Sequence, residues 1–271
     1  MMPTSTLAVI VPMFNEERNA ERCVRTVCEV LARSVPGGKL FVVNDGSRDG
    51  TERVLRGLLE QGLPFRHVGY PDNRGYGAAL LAGARAALEE GFEFGLFMDS
   101  DLTNDPALIP TFAERFREGR YDLIKASRYM QGGGMAGVPL WRQIPTRAGN
   151  WLARHLFGMG IRDCTNGFRA VRLSLLADAT FQERGFPQIL EELTLLKRKG
   201  ARAAEIPYVL TARGEGEGES KFSYRPAVVG AYLKHALRAA LIPYRPRPPS
   251  GVRGGKVAPP GPADRPPGTT G

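Results

Sequence analysis

The chain has 271 residues, enough for one large domain with a substantial core, or for one domain and a tail. Apolar residues at 42% and charged residues at 24% are ordinary for a soluble globular protein, and no window reaches the roughly 18 unbroken apolar residues of a spanning helix. A formal net charge of +9 points instead to polyanionic partners: nucleic acid, a membrane surface or phosphorylated substrates.

Cys23, Cys28 and Cys164 match no zinc spacing, and free thiols in a reducing cytoplasm are expected. His67, His155 and His235 are scattered, which gives no support to a histidine metal site or a triad base. The apolar run near the N-terminus is too short for a signal peptide and has no basic segment before it.

In chain order, Leu7–Val11 reads as a parallel strand buried on both faces. A helix opens at Asn15-Glu16-Glu17 and runs to about Ala32, with Ala20, Cys23, Val24, Val27, Val30 and Leu31 at helical spacing. Leu40–Val43 is a second buried strand, stopped by NDGSRDGT (Asn44–Thr51). A helix over Thr51–Gln61, a strand over Phe65–Val68 and an Ala-rich helix over Ala78–Glu90 follow. Phe94–Met98 is the fourth strand and runs straight into Asp99 and Asp101. Asp105 is placed to cap a helix that starts at Pro106 and ends near Arg117. Leu123–Ala126 is a fifth strand.

Such alternation predicts a doubly wound parallel sheet, in which ligands bind outside the carboxyl ends of the strands. Pro12–Glu16, Asn44–Asp49, Asp72–Gly77, Asp99–Asp101 and Ser127–Arg128 should therefore share one rim. The second half is less regular. It offers a mobile Gly132–Gly137 loop, a helix over Leu140–Phe157, a turn at Asp163–Arg169 leading to a short strand, and a helix over Gln188–Arg198. A strand over Ala203–Leu210, a Gly/Glu loop at Gly214–Gly218 and an amphipathic helix over Pro226–Leu241 complete it. Residues 1–243 form the predicted domain. Residues 244–271, with eight Pro, six Gly and five basic residues against Asp264, form a predicted disordered tail.

The rim chemistry is acidic and basic rather than nucleophilic. Two carboxylates one residue apart beyond a strand can converge on Mg²⁺ or Mn²⁺, whose remaining shell is completed by substrate phosphates. Arg128, Arg142 and Lys221 are the candidate positive partners. No G-x-x-x-x-G-K loop is present, and Gly75-Tyr-Gly77 lacks the third glycine of a dinucleotide fingerprint. Metal-assisted handling of a phosphorylated substrate is the chemistry left.

The motifs VIVPMFNEE (Val9–Glu17), VVNDGSRDGT (Val42–Thr51), NRGYGAALLAG (Asn73–Gly83), MDSDLTNDP (Met98–Pro106), ASRYMQGG (Ala126–Gly133), DCTNGFRAV (Asp163–Val171) and GESKFSY (Gly218–Tyr224) stand in an order that resembles the family two glycosyltransferases of GT-A fold. Within that family the likeness is greatest to dolichol- or polyprenol-phosphate mannose synthases, over roughly residues 6–240. The resemblance implies an α/β fold with a mostly parallel, Rossmann-like sheet flanked by helices. It implies that Pro12, Phe14, Glu16, Asp45, Asp99, Ser100, Asp101, Arg213 and Lys221 bind the nucleotide-sugar. Asp99 and Asp101 would hold Mg²⁺ or Mn²⁺, and Arg128, Arg142 and Thr146 would grip the acceptor phosphate, with Asp101, Arg128 and Arg142 the catalytic set. Those synthases carry Gln where Thr103 stands.

The implied reaction is inverting transfer of a sugar, mannose from GDP-mannose, onto a polyprenyl or dolichyl phosphate, with no nucleic-acid partner. The chain is expected in the cytoplasm, peripheral at the membrane's cytoplasmic face, with a membrane subunit as a possible contact. Transfer from UDP-glucose or another donor to a soluble acceptor is the enzymatic alternative, and a silent GT-A module bound to a membrane partner is the third reading.

Overall fold

The computed structural model describes residues 6–137, 140–211 and 226–247; within them the side chains at 140–142, 145, 226 and 227 are not described. The apolar runs become strands β1 (Leu7–Met13), β2 (Lys39–Asp45), β3 (Phe65–Tyr70), β4 (Phe94–Phe97) and β5 (Leu123–Ser127). Helices α1 (Glu17–Ser34), α2 (Thr51–Glu60), α3 (Tyr76–Glu89) and α4 (Ile109–Arg117) alternate with them. Beyond these lie β6 (Gly134–Ala136), α5 (Leu140–Phe157), β7 (Arg169–Arg172), α6 (Gln188–Arg198), β8 (Ala203–Pro207), β9 (Val209–Thr211) and α7 (Pro226–Ala240).

Among the described residues one sheet has the order β3-β2-β1-β4-β7-β5-β8. Every pairing in it is parallel except those of β7, which runs antiparallel to both β4 and β5. The period of two divides each strand between two cores. Leu7, Val9, Val11, Leu40 and Val42 face a layer shared with α1, α2 and α4, whereas Ala8, Ile10, Phe41 and Val43 face α3, α5, α6 and α7. Helix α3 lies so close to the sheet that a Cβ on Gly83 would sit 2.4 Å from Ile10 Cγ2. All three cysteines are buried free thiols.

The sheet is mostly parallel, as the resemblance implies; β7 runs antiparallel because the chain enters it from the rim-side turn Asp163–Phe168 and must run back down. That reversal brings Asp163 to the end of β5. The Ala203–Leu210 strand is broken at Tyr208, whose N–H is donated to Ser127 O while its carbonyl accepts from Gly134 N. The Gly132–Gly137 segment is not simply a loop, since β6 within it pairs in parallel with β9. The first helix starts at Glu17 rather than Asn15, which adopts φ +55°. Asp105 does cap, accepting from Ala107 N, but the first turn, Pro106–Leu108, is a 3₁₀ helix.

Near the other end, Tyr244 Oη donates to Ala201 O, and Arg247 N donates to Gly200 O. The Gly214–Gly218 loop and residues 248–271 lie outside the described residues. No described helix is long and apolar enough to cross a membrane.

Candidate functional site

The loops after β1 and β2 clasp each other. Asn15 N donates to Ser47 Oγ and Asn15 Oδ1 accepts from Arg48 N, while Glu16 N donates to Thr51 Oγ1. Asp49 accepts from Glu17 N and Thr51 N; burial raises its carboxyl, but the Thr51 bonds and the others hold it below the ordinary value. Pro12 and Phe14 are half-buried on this rim, and Glu16 accepts from Asn19 Nδ2.

Asp45, 3% exposed, is engaged by the loop after β3: its carboxylate accepts from Asn73 Nδ2 (2.9 Å), Arg74 N (2.8 Å) and Gly75 N (3.0 Å). Gly46 beside it has φ +65°, and a Cβ there would lie 2.5 Å from Asn73 N, so only glycine fits the crossing. A cleft of about 770 Å³ opens next to this region, lined by Asn44, Ser47, Glu52, His67 and Tyr70 among others; neither the Asp99/Asp101 pair nor Arg128 lines it.

The acid pair sits on a constrained loop. Asp99 N donates to Asn104 Oδ1 (2.7 Å), and Asp101 Oδ1 accepts from both Thr103 N (3.1 Å) and Thr103 Oγ1 (2.7 Å). Thr103 therefore orients Asp101. Between them Leu102 adopts φ +59°. Among the described residues, Asn15 and Leu102 are the non-glycine residues with positive φ, and both lie on the rim that the strand ends share. Ser100 and Asp101 are 5% and 6% exposed. Tyr76 Oη reaches Asp99 Oδ1 at 3.5 Å, and Arg22 Nη2 reaches Asp101 O at 3.4 Å. No described group of three or more His, Cys, Asp or Glu could hold a metal. Two hard oxygen donors on a strained loop suit an ion that takes its other ligands from a diphosphate.

Across the antiparallel β7, Arg128 follows β5. Its Nε and Nη2 donate to Asp163 Oδ2 and Oδ1 at 2.7 and 2.9 Å, and Nη2 also donates to Thr165 Oγ1. The Arg128 and Asp163 side chains are 10% and 0% exposed. Burial pushes the Asp163 carboxyl up, and the Arg128 guanidinium more than offsets this, holding it below the carboxylate range. Arg128 is thus an oriented, paired cation rather than a loose surface charge.

Thr146 is half-buried on α5. The Arg142 side chain, Arg213 and Lys221 lie outside the described residues.

Beneath the site run charges that sequence reasoning left without partners. Arg169 on β7 is clamped by Glu192 Oε1 and Oε2 from α6, both side chains being almost fully buried. Lys125, wholly buried on β5, donates to Asn166 O at 2.7 Å, and burial followed by the nearby Arg169 pushes it down to about 8. Tyr208 was also missed, because within Ala203–Leu210 it reads as one more strand residue. Nothing local signals its partner Thr103, 105 residues earlier.

The family model for glycosyl transferase family 2 matches residues 8–179. A polyprenol monophosphomannose synthase of Mycolicibacterium smegmatis is 30% identical over 218 residues, covering 79% of this chain and 80% of that protein. An undecaprenyl-phosphate mannosyltransferase of Micrococcus luteus is 30% identical over 238 residues, covering 86% and 93%. Among solved structures, glucosyl-3-phosphoglycerate synthase from Mycobacterium tuberculosis, in complex with Mn²⁺, UDP and phosphoglyceric acid, superposes with TM-score 0.62 at 24% identity, over 88% of this chain and 79% of that one. The fold is shared with that structure. By the family match and these relatives, this chain belongs to glycosyltransferase family 2.

Proposed function

We propose that this chain transfers a sugar, mannose from GDP-mannose, to a polyprenyl phosphate at a membrane surface, with inversion at the anomeric carbon. The names of these two relatives support mannose as the sugar and a polyprenyl phosphate as the acceptor. The observation that carries the lipid acceptor is an exposed apolar stripe on α7. Val229, Leu233, Leu237 and Leu241 recur every four residues and are 52%, 44%, 52% and 86% exposed. Trp151 and Ile144 continue the apolar surface on α5, which packs against α7. Arg147, Arg154, Lys234 and Arg238 are exposed on the same two helices, matching an anionic bilayer surface. Tyr232 of α7 lies within electrostatic reach of Arg128.

Pro12, Phe14, Glu16, Asp45, Asp99 and Ser100 would hold the nucleotide, and Arg213 and Lys221 would close on its diphosphate. Asp99 and Asp101 would hold Mg²⁺ or Mn²⁺, which when bound neutralises charge on the departing nucleoside diphosphate. The acceptor phosphate, with a second pKa near about 6, is already an anionic nucleophile at neutral pH. Arg128, Arg142 and Thr146 need only position it, and no general base is required.

The test is incubation with labelled nucleotide-sugars, with and without Mn²⁺, offering polyprenyl phosphate in vesicles and phosphoglycerate in solution as acceptors. Labelled lipid from GDP-mannose alone is the expected result. Label in the soluble acceptor and none in lipid would overturn the proposal.

A further inference from the structure

Between the acid pair and Arg128 stands Tyr208, and its contacts reach both. The residue is 2% exposed. Its phenol donates to Thr103 O at 2.6 Å, and Thr103 in turn delivers its N–H and hydroxyl to Asp101 Oδ1. Its backbone N–H is donated to Ser127 O, one residue before Arg128. Its carbonyl accepts from Gly134 N, where β6 starts its pairing with β9. The ring meets Phe168 edge-on at 5.7 Å, just after the turn that supplies Asp163. Asp99, Asp101 and Arg128 all lie within electrostatic reach of the phenol oxygen.

We infer that Tyr208 is a positioning residue: its hydroxyl ties the loop of Asp101 to the end of β5 and so fixes the cation-holding side of the site relative to Arg128. Losing the hydroxyl removes that bond and leaves the backbone bonds of Tyr208 to Ser127 and Gly134 in place. Leu102, held at φ +59° one residue before Thr103, is where such a loop would relax first. The inference rests on reading Asp99 and Asp101 as the cation site.

The experiment titrates Mn²⁺ in the presence of nucleoside diphosphate, read by the loss of the free-ion EPR signal, for wild type, Tyr208→Phe, Tyr244→Phe and Asp101→Asn. Tyr244 is the control, since its hydroxyl makes the same kind of bond to a carbonyl, Ala201 O at 2.9 Å, on the far side of β8 from Tyr208. Tyr208→Phe should weaken Mn²⁺ binding about 3–10-fold, as expected for one neutral hydrogen bond, and lower the sugar-transfer kcat with little change in acceptor KM. Tyr244→Phe should lower thermal stability comparably and leave Mn²⁺ affinity at the wild-type value. If wild type binds Mn²⁺ and Asp101→Asn abolishes it, yet Tyr208→Phe binds as wild type does, this inference alone is overturned. If Mn²⁺ binding survives Asp101→Asn, the cation-site reading falls and this inference falls with it.

Discussion

The two halves of the sheet use their carboxylates differently. In the half built on β1, β2 and β3, the rim aspartates accept from backbone N–H groups: Asp45 from Arg74 and Gly75, Asp49 from Glu17 and Thr51. In the half built on β7, β5 and β8, acids hold cations: Asp163 holds Arg128, Glu192 holds Arg169, and Asp122 holds Arg172 and Arg202. The reason lies in the strands. The first half packs unbroken apolar runs, so its polar demand falls on loop N–H groups that need acceptors. In the second, β5 and β7 carry Lys125, Arg169 and Arg172 inside the sheet, and buried charge demands a counter-charge. One half shapes a loop rim with acids; the other aims guanidinium groups.

If that contrast is right, removing an acid costs more on the cation side. Asp163→Ala strands Arg128 in a buried position and should cost about 3–5 kcal/mol in urea unfolding. The Asp163 contribution has a defined pH sense. A carboxyl held below its unfolded value stabilises the fold above about pH 4, and the gain is lost as pH falls through the depressed folded value. Thermal midpoints taken from pH 6 to pH 3 should fall more steeply in wild type than in Asp163→Ala.

Asp45→Ala should cost less, about 2–3 kcal/mol, because water can reach the loop it orders. Hydrogen exchange would locate the damage, with protection lost at the Arg74 and Gly75 amides while the β1 amides stay protected. Lys125→Met sharpens the contrast through pH. With the folded amine at about 8, the unfolded chain binds more protons between pH 8 and about 10.5, so wild-type stability should rise across that interval by roughly 1–3 kcal/mol. The Met variant should lose this rise. A buried lysine without a pH-dependent cost would contradict the account of the second half. Smallest is Arg53→Ala: its partner Glu17 is 40% exposed and Arg53 itself 81%, so under about 0.5 kcal/mol is expected in the same unfolding assay.

The first half was legible because continuous apolar runs such as Leu40–Val43 and breakers such as Asn44–Gly50 mark parallel strands and rim loops without reference to the rest of the chain. The second was not. The direction of β7 depends on where the Asp163 turn lands, which no local pattern states. Asn15 resembles the opening of a helix, yet its side chain is used to receive Arg48 N, and that tertiary bond wins over capping. The places of Asp99, Asp101 and Arg128, just beyond β4 and β5, were readable from the apolar runs before them. The pairing of Arg128 with Asp163, 35 residues later, and of Tyr208 with Thr103, 105 residues earlier, depends on sheet order alone.

The central claim is that Asp101 and Arg128 serve one reaction from opposite sides of β7. Single-turnover transfer from GDP-mannose to polyprenyl phosphate, comparing wild type with Asp101→Asn, tests it directly. A fall of about 10³-fold or more in the transfer rate, with unchanged circular dichroism, is the predicted result. A variant that transfers sugar within about threefold of wild type would contradict it.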